Sequence, residues 1–139
     1  MEKKLIIWNE NYSVGYEEID NQHQKLVELI NELYASFKQG EANDLIEKIL
    51  TEMINYTDYH FKTEEKYFEK YNYSDAQTHI NQHKSFVEQV TKFFDDFKEG
   101  SVTISYDVMN FLRDWLINHI QGSDKKFGLE YQNQNITNL

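Results

Sequence analysis

The chain has no cysteine and no proline, and only five glycines in 139 residues. Without thiols there can be no disulfide, thiolate metal site, iron–sulfur cluster or covalently attached haem, so any bound metal must be held by nitrogen and oxygen. The same absence suits a reducing compartment, and a cytoplasmic location is expected. Missing proline leaves no helix breaker. The glycines, at 15, 40, 100, 122 and 128, leave three long uninterrupted stretches before the last glycine-bounded segment. That is the punctuation of an all-helical protein. Positive charge is scarce, with 14 Lys and Arg against 24 Asp and Glu and a formal charge of -10. No basic block interrupts it, so neither nucleic acid nor an anionic membrane surface is an expected partner. Long apolar runs are missing too. The segment from Met1 to Trp8 has only a short apolar run, Leu5 to Trp8, too short for a signal peptide or anchor, and no window approaches membrane-spanning length.

What is present is one domain's worth of chain, 40% hydrophobic and 15% aromatic, enough for a sizeable core. Apolar residues recur at three- and four-residue spacing in four stretches. Leu26, Val27, Ile30, Leu33, Tyr34 and Phe37 mark a first helix over about 20–38, with Asp20 as its N-cap and Gly40 as its stop. Leu45, Ile46, Ile49, Met53, Tyr56, Tyr67 and Phe68 mark a second over about 42–70. A third, over about 75–98 behind a Ser74 cap, carries Ile80, Phe86, Val87, Val90 and Phe97. A fourth, over about 105–121 and ended by Gly122, carries Val108, Phe111, Leu112, Trp115, Leu116 and Ile120. Residues 1–19 form an N-terminal arm able to lay Trp8, Tyr12 and Tyr16 on the bundle, and the polar tail 127–139 is expected to fray. Short connections imply antiparallel neighbours, hence an up-down-up-down four-helix bundle.

All five histidines fall on apolar helical faces. With two carboxylates they form a set of metal-ligand spacings: His23, then His60 and Glu64, His79 and His83, and His119 and Asp124. Alternating helix direction brings them all to one end of the bundle, each within about 15 Å of it at about 1.5 Å rise per residue. His60 with Glu64, and His79 with His83, are i,i+4 pairs sharing a face. A single histidine on an apolar stripe is ordinarily a hydrogen-bonded core residue. Five in one layer are different, because each unpartnered imidazole would cost about 1–3 kcal/mol, and a metal satisfies one nitrogen of each ring while leaving the other to donate outward. Glu64 continues the inward stripe of His60, and Asp124 follows Gly122, where the chain can turn back toward the bundle end. Seven such ligands can hold two metal ions, and imidazole with carboxylate suits iron and its first-row neighbours. With two roughly octahedral shells, five imidazoles, two bridging carboxylates and one bridging oxide or hydroxide leave one position open. A single vacancy suits a diatomic ligand.

The combination of Trp8, Tyr12 to Gly15, Ile19-Asp20 before His23, His60-x-x-x-Glu64, His79-x-x-x-His83 and His119-x-x-x-x-Asp124 resembles hemerythrin, specifically its single-domain bacterial type, from Trp8 to about Phe127. The resemblance implies two non-haem irons joined by an oxo or hydroxo bridge. It assigns His79, His83 and His119 to one iron, His23 and His60 to the other, and Glu64 and Asp124 to both. It further implies dioxygen as the ligand, bound end-on at the less saturated iron in a pocket matched by Trp115, Leu116 and Ile120, although ordinary core packing accounts equally well for those three. Reversible oxygen binding for carriage, storage or delivery to an oxygen-consuming enzyme is the expected function, without enzymatic turnover beyond slow peroxidase or nitric oxide chemistry. A di-iron oxidase or peroxidase is the main alternative, but no histidine here has Glu three residues before it, as the paired Glu-x-x-His motifs of bundle oxidases require. A sensor or iron-handling module is the other. No His-Glu-x-x-His motif supports zinc hydrolysis.

Overall fold

The computed structural model describes residues 4–130. Four helices, α1 (Glu17–Lys38), α2 (Asn43–Lys70), α3 (Ala76–Glu99) and α4 (Tyr106–His119), form an antiparallel bundle. α1 packs on α2 and α4, and α2 packs on α3. No strand occurs among the described residues, and no helix is long and apolar enough to cross a membrane. The inward stripes are largely those the spacing marks: Leu26, Ile30 and Leu33 from α1, Ile46, Ile49 and Met53 from α2, Phe86, Val90 and Phe97 from α3, and Leu112 and Leu116 from α4. Leu50 and Met109, which the spacing does not single out, are fully buried beside them, and Leu45 is exposed. Gly40 and Gly100 end α1 and α3 with left-handed backbone, φ 68° and 81°, where a Cβ would be strained.

Three expected boundaries fail, two of them because a side chain has other work. α1 starts at Glu17 with Tyr16 at its N-cap, so Asp20 lies inside the helix. Its carboxylate accepts from the Val14 backbone N–H at 2.8 Å and from Ser13 Oγ at 2.6 Å, tying the arm to α1. Asp75, not Ser74, occupies the N-cap position of α3; Ser74 donates from both backbone and hydroxyl to the Glu130 carboxylate. Gly122 does not stop α4. The chain runs on through a π-helical turn, Ile120–Asp124, into a final helical stretch over 125–130.

The arm lies along the bundle, with Trp8, Tyr12 and Tyr16 packed on its core. Asn31 holds the arm's Ile6 through two backbone hydrogen bonds of 2.9 and 2.8 Å. The start of the tail is packed rather than frayed: Phe127 is buried against Phe68 and Tyr73, and Lys126 pairs with Asp75. Gly128 lies so close to the arm that a Cβ there would overlap the Val14 carbonyl. The remainder of the expected tail, 131–139, lies outside the described residues.

Candidate metal centre

Seven polar side chains meet at the end of the bundle where α1 and α3 begin and α2 and α4 end. His23, His60, Glu64, His79, His83, His119 and Asp124 are each at most 5% exposed. Four helices deliver six of them in register. Asp124 depends on the π turn. In an α-helix a residue five positions on points about 140° away, whereas in a turn whose hydrogen bonds run from i to i+5 it returns close to the starting face. The π turn thus sets Asp124 beside His119, with Asp124 Oδ1 3.2 Å from His119 Nε2.

The side chains sort into two groups. The Nε2 atom of His119 lies 2.9 Å from that of His79 and 3.1 Å from that of His83, while the rings of His23 and His60 meet with centroids 4.7 Å apart. Asp124 lies between the groups, Oδ1 at 2.7 Å from His79 and Oδ2 at 2.9 Å from His23. Glu64 Oε1 does the same, 3.2 Å from His83 and 3.3 Å from His60. Each group can converge its donor atoms within 4.8 Å, Glu64 and Asp124 belonging to both.

Apart from His119 Nε2 with the Nε2 atoms of His79 and His83, these atoms approach one another without pairing. Both carboxylates, both nitrogens of His23, Nε2 of His60 and Nδ1 of His79 are buried with no hydrogen-bond partner. At about 1–3 kcal/mol for each orphaned group, the total would rival the whole stability of a domain, about 5–15 kcal/mol. A nitrogen- and oxygen-coordinated cation satisfies the inner atoms at once, so the residues fit a metal.

The electrostatics agree. Burial, with neighbouring imidazoles, pushes His60 and His79 below the ordinary range and His83 down to about 2, keeping the rings neutral, the form that coordinates. Burial and the facing Asp124 push Glu64 well above the usual carboxyl range. Burial also acts to raise Asp124, but His119, His23 and His79 around it prevail and hold it well below. A cation between the two carboxylates would relieve their repulsion.

Aromatic rings wall the site. Phe61 stacks on His83 at 3.8 Å, Trp115 on His119 at 4.5 Å, and Phe68 lies 4.5 Å from His79. Beside the centre, Leu26, Ile30, Met53, Thr57, Phe61, Phe86, Trp115 and Leu116 enclose an apolar cavity of about 10 Å³, about the room of one water-sized molecule. Trp115 and Leu116 line it as expected, whereas Ile120 lies outside that lining, buried at the start of the π turn.

The residues match the hemerythrin HHE cation-binding domain over 14–128. The chain belongs to the hemerythrin family. It is 35% identical over 120 residues to a hemerythrin-like protein of Naegleria gruberi, covering 86% of this chain and 88% of that protein. With a bacteriohemerythrin of Methylococcus capsulatus it shares 33% identity over 116 residues, 84% of this chain and 86% of the relative. The crystal structure of wild-type hemerythrin superposes with a TM-score of 0.85 at 30% identity, covering 89% of this chain and 95% of that one. Membership implies non-haem iron as the cation, and the buried His, Glu and Asp cluster fits it.

Two hemerythrin-site residues escape a reading by spacing. Gln22 Oε1 lies 2.7 Å from His60 Nδ1, and Glu65 Oε2 lies 3.0 Å from His83 Nδ1. A signal existed for Gln22, an uncharged polar residue four positions before Leu26 on the buried stripe of α1. None existed for Glu65, whose contact runs from α2 to α3 and follows no periodicity within one helix.

Proposed function

We propose that this chain binds dioxygen reversibly at a non-haem di-iron centre, serving oxygen carriage, storage or delivery in the cytoplasm. The observation that carries the reading is the sharing of Glu64 and Asp124 by both ligand groups, the arrangement expected of two metals bridged by two carboxylates. On this reading His79, His83 and His119 hold one iron and His23 and His60 the other, whose smaller set leaves the open position. The irons would supply the electrons that dioxygen needs to bind tightly, and the protein does the rest. Neutral imidazoles and two buried carboxylates hold the charge. The small apolar cavity beside Trp115 and Leu116 admits a diatomic but not an organic substrate, favouring binding over turnover. The absence of Glu-x-x-His pairs points the same way.

The test is reconstitution with ferrous iron under argon. Metal analysis should give two irons per chain, and the colourless protein should colour in air and bleach when oxygen is withdrawn. One iron per chain, or no reversible colour, would overturn the proposal; steady consumption of oxygen or peroxide with an added donor would make the centre an enzyme's.

A further inference from the structure

Two imidazoles of the centre pass their outer nitrogen to residues outside the seven-ligand set, and those residues differ in charge. With Nε2 turned toward Glu64, His60 and His83 each carry a proton on Nδ1, so Gln22 and Glu65 both accept hydrogen bonds. Gln22 is a buried neutral amide beside the two-imidazole group. Glu65 is a carboxylate beside the three-imidazole group, its side chain 33% exposed, in a surface cleft with Asp58, Lys62, Lys84 and Glu88. Hydrogen bonds to a carboxylate are roughly twice as strong as neutral ones, and an acceptor behind a ligating ring raises its basicity.

We propose that Gln22 and Glu65 are positioning residues that make the two metal positions electronically unequal. Glu65, acting through His83, increases electron donation to the three-imidazole metal and favours its oxidised state, while Gln22 orients His60 without adding charge. Both are aimed by the fold: Gln22 is one residue before His23 on α1, and Glu65 is one residue after Glu64 on α2, so the residue beside each inward ligand serves a ring on the neighbouring helix. The inference rests on the di-iron reading.

The experiment is a redox titration of the iron-loaded full chain, followed by its visible absorption, with iron affinity measured against a competing chelator. Glu65→Gln keeps an acceptor but removes the charge; it should retain two irons and move the midpoint to higher potential. Glu65→Ala should in addition weaken iron binding about 10- to 100-fold, a loss that Glu65→Gln recovers while the potential stays shifted. Gln22→Glu should move the midpoint down. Glu88→Gln, which removes the same charge from the same cleft without touching a ring, should leave it unmoved. An unchanged midpoint in Glu65→Gln, or an equal shift in Glu88→Gln, would overturn this inference alone. Wild-type chain holding fewer than two irons would overturn the di-iron reading and this inference together.

Discussion

At the far end of the bundle, where α1 and α3 end and α2 and α4 begin, the core is filled by Leu33, Ile49, Leu50, Phe97, Met109 and Leu112, all buried and all apolar. At the near end the same four helices and the π turn bury five imidazoles and two carboxylates. The far end is held by burial alone, at about 25 cal/mol per Å² of apolar surface. It tolerates looser packing, since α2, α3 and α4 leave an apolar cleft there between Leu50, Val90, Phe93, Val108 and Phe111. The near end has no such freedom. Its polar atoms repay their dehydration only when a cation joins them, and it is wrapped by the arm, the π turn and the Phe68–Tyr73–Phe127 cluster. One end makes the fold; the other draws on it to hold a charge cluster that would not fold alone.

The largest test of this contrast pairs Asp124→Ala with Leu50→Ala. Asp124→Ala should cut iron from two per chain to one or none and remove the metal's stabilisation, about 4 kcal/mol at a thousand-fold excess over Kd. Hydrogen exchange should show the loss near His23 and His79 while the far end stays protected. Leu50→Ala should cost about 2–5 kcal/mol by denaturant unfolding of the loaded protein, yet retain two irons. Equal loss of protection at both ends in Asp124→Ala would erase the distinction.

A smaller effect belongs to pH in the metal-free protein. His60, His79 and His83 lie below 6.5 in the folded chain, so as pH falls through 6.5 the unfolded chain takes up protons that the folded chain refuses, and stability drops. Glu64 opposes this, since it lies above 4.5 when folded and releases a proton on unfolding at higher pH. Three rings against one carboxyl leave a net uptake of protons on unfolding as pH falls below 6.5, so stability declines with pH. Thermal unfolding followed by circular dichroism should show the midpoint falling steadily from pH 7 to 5. A flat midpoint would mean that the near end is hydrated without metal.

The smallest effect concerns the boundary between the two regions. Leu116 lies one turn before His119 and lines the small cavity. Leu116→Ala should keep both irons but let water reach the centre, shortening the lifetime of the oxygenated form in a stopped-flow spectrum by about ten-fold, or roughly 1.4 kcal/mol. Glu32→Ala, on the surface, should not change it.

Most of the far end is legible from spacing, since a 3.6-residue apolar repeat states which face is buried, though it passes over Leu50 and Met109. The ligands were legible for the same reason, as polar exceptions on those faces, and alternating helix direction was enough to gather them. Contacts that depend on one helix meeting another were not. Glu65 looks like any exposed acid of α2, and Asp20 looks like an N-cap because aspartate favours both a cap and the anchoring of a preceding loop. Gly122 reads as a stop, since glycine weakens a helix, whereas the i+5 interval from His119 to Asp124 fits a helix that widens there. The neighbours of Phe127 give the tail a polar character, which hides that this aromatic has Phe68 and Tyr73 to cover.

A π turn is what one surplus residue makes of an α-helix, which gives the chain's length between 119 and 128 a meaning that substitutions do not probe. Inserting one more residue beside Gly122 without further widening the turn would rotate everything beyond it by about 100°. Asp124 would swing off its imidazoles, Phe127 would leave its aromatic partners, and Gly128 would give way to a bulkier neighbour against the Val14 carbonyl. The same one-residue change between Gly100 and Ile104, in the connection at the far end, would move no metal ligand and would cost mainly the entropy of a different loop length. Descendants of this chain are therefore free to vary in length at one end of the bundle, while at the other an added residue breaks the register of the centre.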